Sequence, residues 1–116
     1  VLWHMADVAW GGNKPEEAER LLRRLLEPKY FQHRNEWDQL NAQRRYGEAL
    51  DRLKRHDDAA RHCLAMEKAE SRPDVAQDWC LRGANSLAAQ EKFDEARRTL
   101  ERVFTVHGTV MNGWPR

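Results

Sequence analysis

Asp94-Glu95-Ala96-Arg97-Arg98 decides the reading of this chain, because its pattern occurs three times. The earlier copies are Glu16-Glu17-Ala18-Glu19-Arg20 and Asp57-Asp58-Ala59-Ala60-Arg61. Each copy has two acidic residues, an alanine, any residue and an arginine. Four residues after each alanine stand Leu22, Cys63 and Leu100, and seven after stand Leu25, Met66 and Val103. Alanine, +4 and +7 share one face of an α-helix, since 3.6 residues make a turn. Twelve residues before each alanine stand Ala6, Gly47 and Ala84, all small. Nine before stand the apolar Ala9, Leu50 and Leu87. A small side chain there lets a neighbouring helix approach closely. Three before come Pro15, His56 and Phe93, at the joint between two helices.

The acidic pairs open the second helix of each unit, where carboxylates meet the positive end of the macrodipole. Four acid-to-base pairs follow at i,i+4: Glu16 with Arg20, Glu19 with Arg23, Asp57 with Arg61 and Asp94 with Arg98. Each contributes only a few tenths of a kcal/mol, so they argue for helix and not for function. Gly11-Gly12 ends a first helix, Pro15 suits the first turn of the next, and Pro28 closes it. Ser71-Arg72-Pro73-Asp74 reads as a break and a new start. No segment alternates with a two-residue period. The expected map is six helices, at 1–10, 15–27, 35–54, 56–69, 73–90 and 93–106. They form three hairpins over 1–107 (1–27, 35–69 and 73–106). Residues 108–116 are expected to be an irregular tail or the opening of a truncated repeat.

Composition excludes several classes. Hydrophobic residues make up 41% and charged residues 34%. That charge exceeds the ~25% of an average globular domain and suits narrow helices with one buried stripe. The net charge of +1 argues against nucleic-acid binding, which needs a positive excess. No apolar run reaches the ~18 residues of a membrane span. Val1-Leu2-Trp3-His4-Met5 lacks the basic and long apolar parts of a signal peptide. The apolar start without an initiator methionine predicts a fragment or a processed chain. Cys63 and Cys80 read as buried thiols of a reducing compartment, which favours the cytoplasm. The five histidines (His4, His33, His56, His62 and His107) show no metal-ligand spacing, so no metal and no cofactor is expected. Gly11-Gly12 alone is no phosphate loop, and no nucleophile stands in a recognisable turn, so no enzyme activity is expected.

At these residues the chain resembles the tetratricopeptide repeat family, whose unit is a helix–turn–helix of 34 residues. The third unit carries the resemblance best. Trp79 stands near the family's first-helix aromatic, Ala84 at the small position, and Phe93-Asp94-Glu95-Ala96 at the aromatic–acid–acid–alanine step. Unit two offers Gly47, Leu50 and Asp58-Ala59, and unit one offers Ala6, Ala9 and Ala18. The alanines are spaced 41 and 37 apart, so about seven and about three extra residues lie between units. The resemblance implies an all-α fold, an α-α superhelix; another helical-hairpin solenoid is the alternative.

It also implies a concave groove, lined by the first helices, that takes a peptide or helix of a partner protein. The groove residues carried over are Trp3, Asp7 and Trp10; Asn41, Arg44, Arg45, Glu48, Asp51 and Arg52; and Asp78, Leu81, Arg82 and Asn85. Arginine leads among them and pairs bidentately with carboxylates, so an acidic or C-terminal segment is the expected ligand class. The lysine–asparagine clamp by which some relatives hold chaperone C-termini is missing: Trp3 and Asp7 stand in its place. Trp37 and Trp79 are expected in the core or between repeats. Trp3 and Trp10 form either an exposed aromatic strip or a surface packed on a preceding repeat. The expected role is a non-catalytic interaction scaffold. The alternative is a module of a secretion or polysaccharide-handling apparatus, with Trp3 and Trp10 contacting carbohydrate or envelope components. Such arrays stack hairpins that cannot bury their stripes alone. Val1, Leu2 and Trp3 at one end, and Val103, Phe104 and Val106 at the other, are therefore expected under a cover, or in a homodimer through the repeat ends.

Overall fold

A computed structural model describes residues 2–105, with the side chains of 3–103. Seven helices run through the described residues, with no strand among them. They are α1 (Leu2–Gly11), α2 (Pro15–Leu25), α3 (Pro28–Phe31), α4 (Glu36–Arg52), α5 (His56–Ala69), α6 (Pro73–Ala89) and α7 (Phe93–Thr105). The six long helices match the expected map to within a few residues. Pro28 differs: it opens the one-turn α3 instead of only closing α2, because proline suits a helix's first position. That turn sits in the ten-residue link that absorbs the long first spacing. Residues 106–116, with the expected tail at 108–116, lie outside the described residues. So do the side chains of Leu2 and Phe104, and all of Val1.

The repeat is written into the backbone as well as the side chains. α1, α4 and α6 each end in a left-handed residue: Asn13 (φ 56°), Lys54 (φ 63°) and Glu91 (φ 62°). All three stand five residues before the repeat's alanine. The next residue then donates its N–H back across the turn, Lys14 to Ala9 O (3.0 Å), Arg55 to Leu50 O (2.8 Å) and Lys92 to Leu87 O (3.1 Å). This is the Schellman closure of a helix, in which glycine ordinarily takes the left-handed place. Gly11-Gly12 therefore precedes the turning residue and does not supply it. Relieving the strained Cβ should stabilise the chain: Lys54→Gly is expected to raise the unfolding free energy by about 0.5–1 kcal/mol. A urea titration that showed destabilisation would count against the left-handed closure.

The chain divides after Arg55 into two compact units. In the first, α2 packs against both α1 and α4. Ala6, Ala9, Ala18, Leu21, Leu22, Leu25, Ala42 and Ala49 form its core. The repeat alanine, the small position and the +4 and +7 leucines are thus buried as the periodicity requires. Glu19 is buried too, 3.7 Å from Arg23 and 3.5 Å from Arg55.

In the second unit, α6 packs against α5 and α7. Trp79 and Cys80 are fully buried on α6, and the His62 ring meets Trp79 edge-on at 5.6 Å. The Cys80 thiol donates to Thr99 O (3.0 Å), and Thr99 Oγ1 donates to Glu95 O (2.8 Å). Arg102 reaches from α7 to Glu67 on α5 through two hydrogen bonds, 2.8 and 3.3 Å long. The α5–α6 turn is held by Glu70, which accepts from the Arg72 backbone (3.0 Å) and from its guanidinium (2.9 and 3.1 Å).

Some expectations need correcting. Asp58, not Asp57, pairs with Arg61, and Asp94 pairs with Arg97 at i,i+3. Asp57 faces Lys92 at 3.9 Å. Trp37 is 66% exposed. It lies in the first turn of α4, six residues before Gln43, which aligns with the first residue of α1, so it projects beyond the packed stretch. Leu100 is 39% exposed although Leu22 and Cys63 in its register are buried. Among the described residues, α7 has no following helix to cover that position. Val103, expected under an external cover, is already buried within its own unit.

Two titrating groups set opposite pH limits. The Arg72 hydrogen bonds hold the Glu70 carboxyl at about 2, below the ordinary 4.5. Its stabilisation is present above pH 4.5 and is lost as pH falls towards about 2. Burial, followed by the nearby Glu67 charge, pushes the Cys80 thiol up to about 11 from 9.0. The folded state keeps that proton longer than the unfolded chain, so stability falls as pH rises from about 9 to about 11. Glu70→Gln should flatten the acid limb of a stability–pH curve, and Cys80→Ala the alkaline limb. Unchanged limbs would show that these two groups do not govern them.

Candidate functional site

The first unit gathers the aromatic and arginine residues on the neighbouring surfaces of α1 and α4. On α1, Trp3, Asp7 and Trp10 follow one another at i,i+4,i+7 and share a face. On α4, Asn41, Arg45, Glu48 and Arg52 follow the same rule. The contacts advance together along both helices. Arg34, just before α4, lies over the Trp3 ring at 4.5 Å from its centroid. Arg45 hydrogen-bonds Asp7 and stands 5.9 Å from the Trp10 ring centre. Arg52 stacks on Trp10 at 4.1 Å. α1 and α4 therefore run in the same direction, with α2 packed against both.

Each stack does physical work. A guanidinium over an indole face gains about 0.5–1 kcal/mol at an exposed site. More important here, stacking holds the planar fork in one orientation and leaves its N–H edges free to meet a carboxylate. Arg34 also has Asp38 within 3.9 Å. Arg45 is held by Asp7. Arg52 is exposed, and no carboxylate of a described residue pairs with it. Arg52 is thus a pre-oriented cation on the outer surface of the unit.

The expected residues divide accordingly. Trp3, Asp7, Trp10, Arg45 and Arg52 are brought together. Asn41 shares the α4 face, partly buried. Arg44, Glu48 and Asp51 are partly buried and engaged in interactions of their own. In the second unit, Asp78 and Arg82 pair at 2.9 Å along α6, and Asn85 lies exposed on the same face, with Leu81 39% exposed beside it. Arg34 escaped the sequence reading. It stands before the first turn of α4, outside any helical period, and only the packing of α1 brings Trp3 beneath it. Trp3 and Trp10 are partly buried on the first unit's core and faced by guanidiniums. They are therefore not the bare aromatic strip that a sugar would stack on.

The second unit holds a cleft of about 310 Å³ where α5, α6 and α7 meet. Ala60, Leu64 and Leu87 give it an apolar floor, and Asp57, Arg61 and Lys92 a rim of mixed charge. No helix among the described residues is long and apolar enough to cross a membrane.

Comparison with known proteins agrees with this architecture. A family model described as Tetratricopeptide repeat matches residues 5–75. The match covers α2 to α5 and most of α1. It ends at the start of α6, although the third hairpin carries the motif in the same register. No curated protein and no solved structure gives a significant match to the chain.

Proposed function

Since the chain belongs to the tetratricopeptide repeat family, whose repeats generally mediate protein–protein interactions, we propose that it is a scaffold whose first helices hold an acidic segment of a partner protein. Members of this family are typically non-catalytic. The observation that carries the reading is Arg52: an exposed guanidinium, stacked on Trp10 and with no carboxylate partner among the described residues. A carboxylate of the partner completes it with a bidentate hydrogen bond. Arg45 offers a second such group, which Asp7 holds in place until a ligand competes for it. The fixed rings beneath these cations reduce the ordering cost of binding, and aromatic and arginine residues are the usual anchors of an interface.

The test compares three baits in a lysate of the source organism: the native chain, Arg45→Glu with Arg52→Glu, and Lys68→Gln on the exposed side of α5 as a control. Circular dichroism first establishes that each is folded. A partner retained by the native bait should bind the double variant at least ~10-fold more weakly, a loss of about 1.4 kcal/mol or more. Its binding to the native bait should also weaken as salt rises, because exposed charges are screened. Equal retention by the native and double-variant baits would place the interface elsewhere on the molecule.

A further inference from the structure

The two units fill one place in the repeat differently. In the first unit, Glu19 follows the repeat alanine Ala18 and is 4% exposed. Its carboxylate lies 3.5 Å from the Arg55 guanidinium and 3.7 Å from that of Arg23. In the second unit the same register holds Ala60, with Leu64 in the place of Arg23 and Lys92 in the place of Arg55. The backbone matches as well. Arg55 and Lys92 each follow a left-handed residue and donate their N–H to Leu50 O and Leu87 O. Ala60 has neither the bulk nor the carboxylate of Glu19, and it lines the cleft of about 310 Å³.

The charges around the cleft are arranged as follows. Lys92 stands on the rim with its side chain half-exposed, 3.9 Å from Asp57. Arg61 hydrogen-bonds Asp58. Gln90 on the wall donates to Ser86 O (3.1 Å), and its own oxygen is buried away from the open cleft. Asp57 and Glu95 add two carboxylates to the rim. Asp57 does not bar an anion, because its register in the first unit holds Glu16, also acidic, and Glu19 still sits beside Arg55. Glu95 is exposed, so water and salt screen its repulsion.

We propose that this cleft binds a small molecule that carries one carboxylate on a short aliphatic body. The carboxylate takes the place of the Glu19 carboxylate and pairs with Lys92, and the body lies on Ala60, Leu64 and Leu87. The first unit makes the corresponding ion pair within the chain. The second unit has lost the acid and one of its two cations together, since Leu64 replaces Arg23. A monocarboxylate with an apolar body therefore suits the cleft better than a second charge would. Apolar walls with a few polar groups, in a volume of ~300–1,000 Å³, are the usual form of a small-molecule site, and this cleft stands at the lower end of that range. All of its residues belong to the second unit, so the site is separate from the charged face of α1 and α4.

The test titrates the whole ¹⁵N-labelled chain with hexanoate and follows its amide signals by NMR, with hexanamide and hexylammonium as controls. Hexanoate should move the amides of Ala60, Leu64, Leu87 and Lys92 along a saturable curve, with a Kd on the order of 1–10 mM. Hexanamide should bind roughly fivefold more weakly or less, and so should hexanoate to Lys92→Gln, because each removes one half of the ion pair. Ala60→Glu restores the residue of the first unit, supplies the carboxylate from within and should abolish the hexanoate shifts. Circular dichroism establishes that this variant folds; if it does not, Lys92→Gln and hexanamide, which leave the core untouched, decide the matter. The absence of saturable shifts at about 50 mM hexanoate overturns the proposal. So does equal binding of hexanamide or hexylammonium, undiminished binding to Lys92→Gln, or hexanoate binding to a folded Ala60→Glu chain.

Discussion

Trp79→Ala is expected to lower the unfolding free energy by about 3–5 kcal/mol, the usual range for removing a buried large aromatic. Trp79 is 0% exposed in the middle of α6, the helix against which both α5 and α7 pack. Its removal takes away the indole's apolar burial and leaves a void that a helix held from two sides cannot readily close. Trp79→Phe should recover most of that loss. The indole N–H is buried without a hydrogen-bond acceptor among the described residues, so phenylalanine sheds an unsatisfied donor while it keeps most of the ring. Urea titration of the three proteins checks both statements. A loss under about 1 kcal/mol for the alanine variant would contradict the packing assigned to Trp79.

Leu25→Ala should cost about 2–5 kcal/mol. Leu25 is also 0% exposed and lies in the last turn of α2, the helix that packs on both α1 and α4. In a stacked array each element answers mainly to its neighbours. Hydrogen exchange should therefore show the greater loss of protection in α1, α2 and α4, whereas Trp79→Ala should affect α5, α6 and α7 more. The same variant links the core to the proposed function. Leu25 lies in the core on which Trp3 and Trp10 pack, so loosening it should weaken partner binding without altering any residue of the charged face. A Leu25→Ala chain as stable as the native one would mean that the core around α2 closes over the gap.

Much of the fold was legible because the repeat is local. Ala18, Ala59 and Ala96 must be small wherever two helices cross, and Leu22 with Leu25 must fall on the same side as the alanine. Those constraints follow from 3.6 residues per turn and a buried stripe. The same logic located the joints at Pro15 and Pro73. It failed where a residue's fate depends on its neighbours in space. Trp37 has the composition of a core residue, yet it lies ahead of the packed stretch of α4 and is exposed. Leu100 repeats a buried position, yet α7 has no following helix among the described residues. Two of the expected ion pairs gave way to i,i+3 pairs, Asp58 with Arg61 and Asp94 with Arg97, while Glu19 kept Arg23 at i,i+4; both spacings bring side chains together on a helix, and rotamers choose between them.

For the candidate site, the sequence supplied the residue types and the face. It put Trp3, Asp7 and Trp10 on one side of α1, and Arg45 and Arg52 on one side of α4, because side-chain direction along a helix is fixed by position alone. The tertiary structure decided that α1 and α4 lie side by side and parallel with α2 packed against both. Only that arrangement places Arg52 over Trp10, Arg34 over Trp3 and Arg45 beside Asp7. Periodicity acts along one helix at a time, whereas a guanidinium stacked on an indole needs two helices at a set separation, which here rests on α2 packing against both.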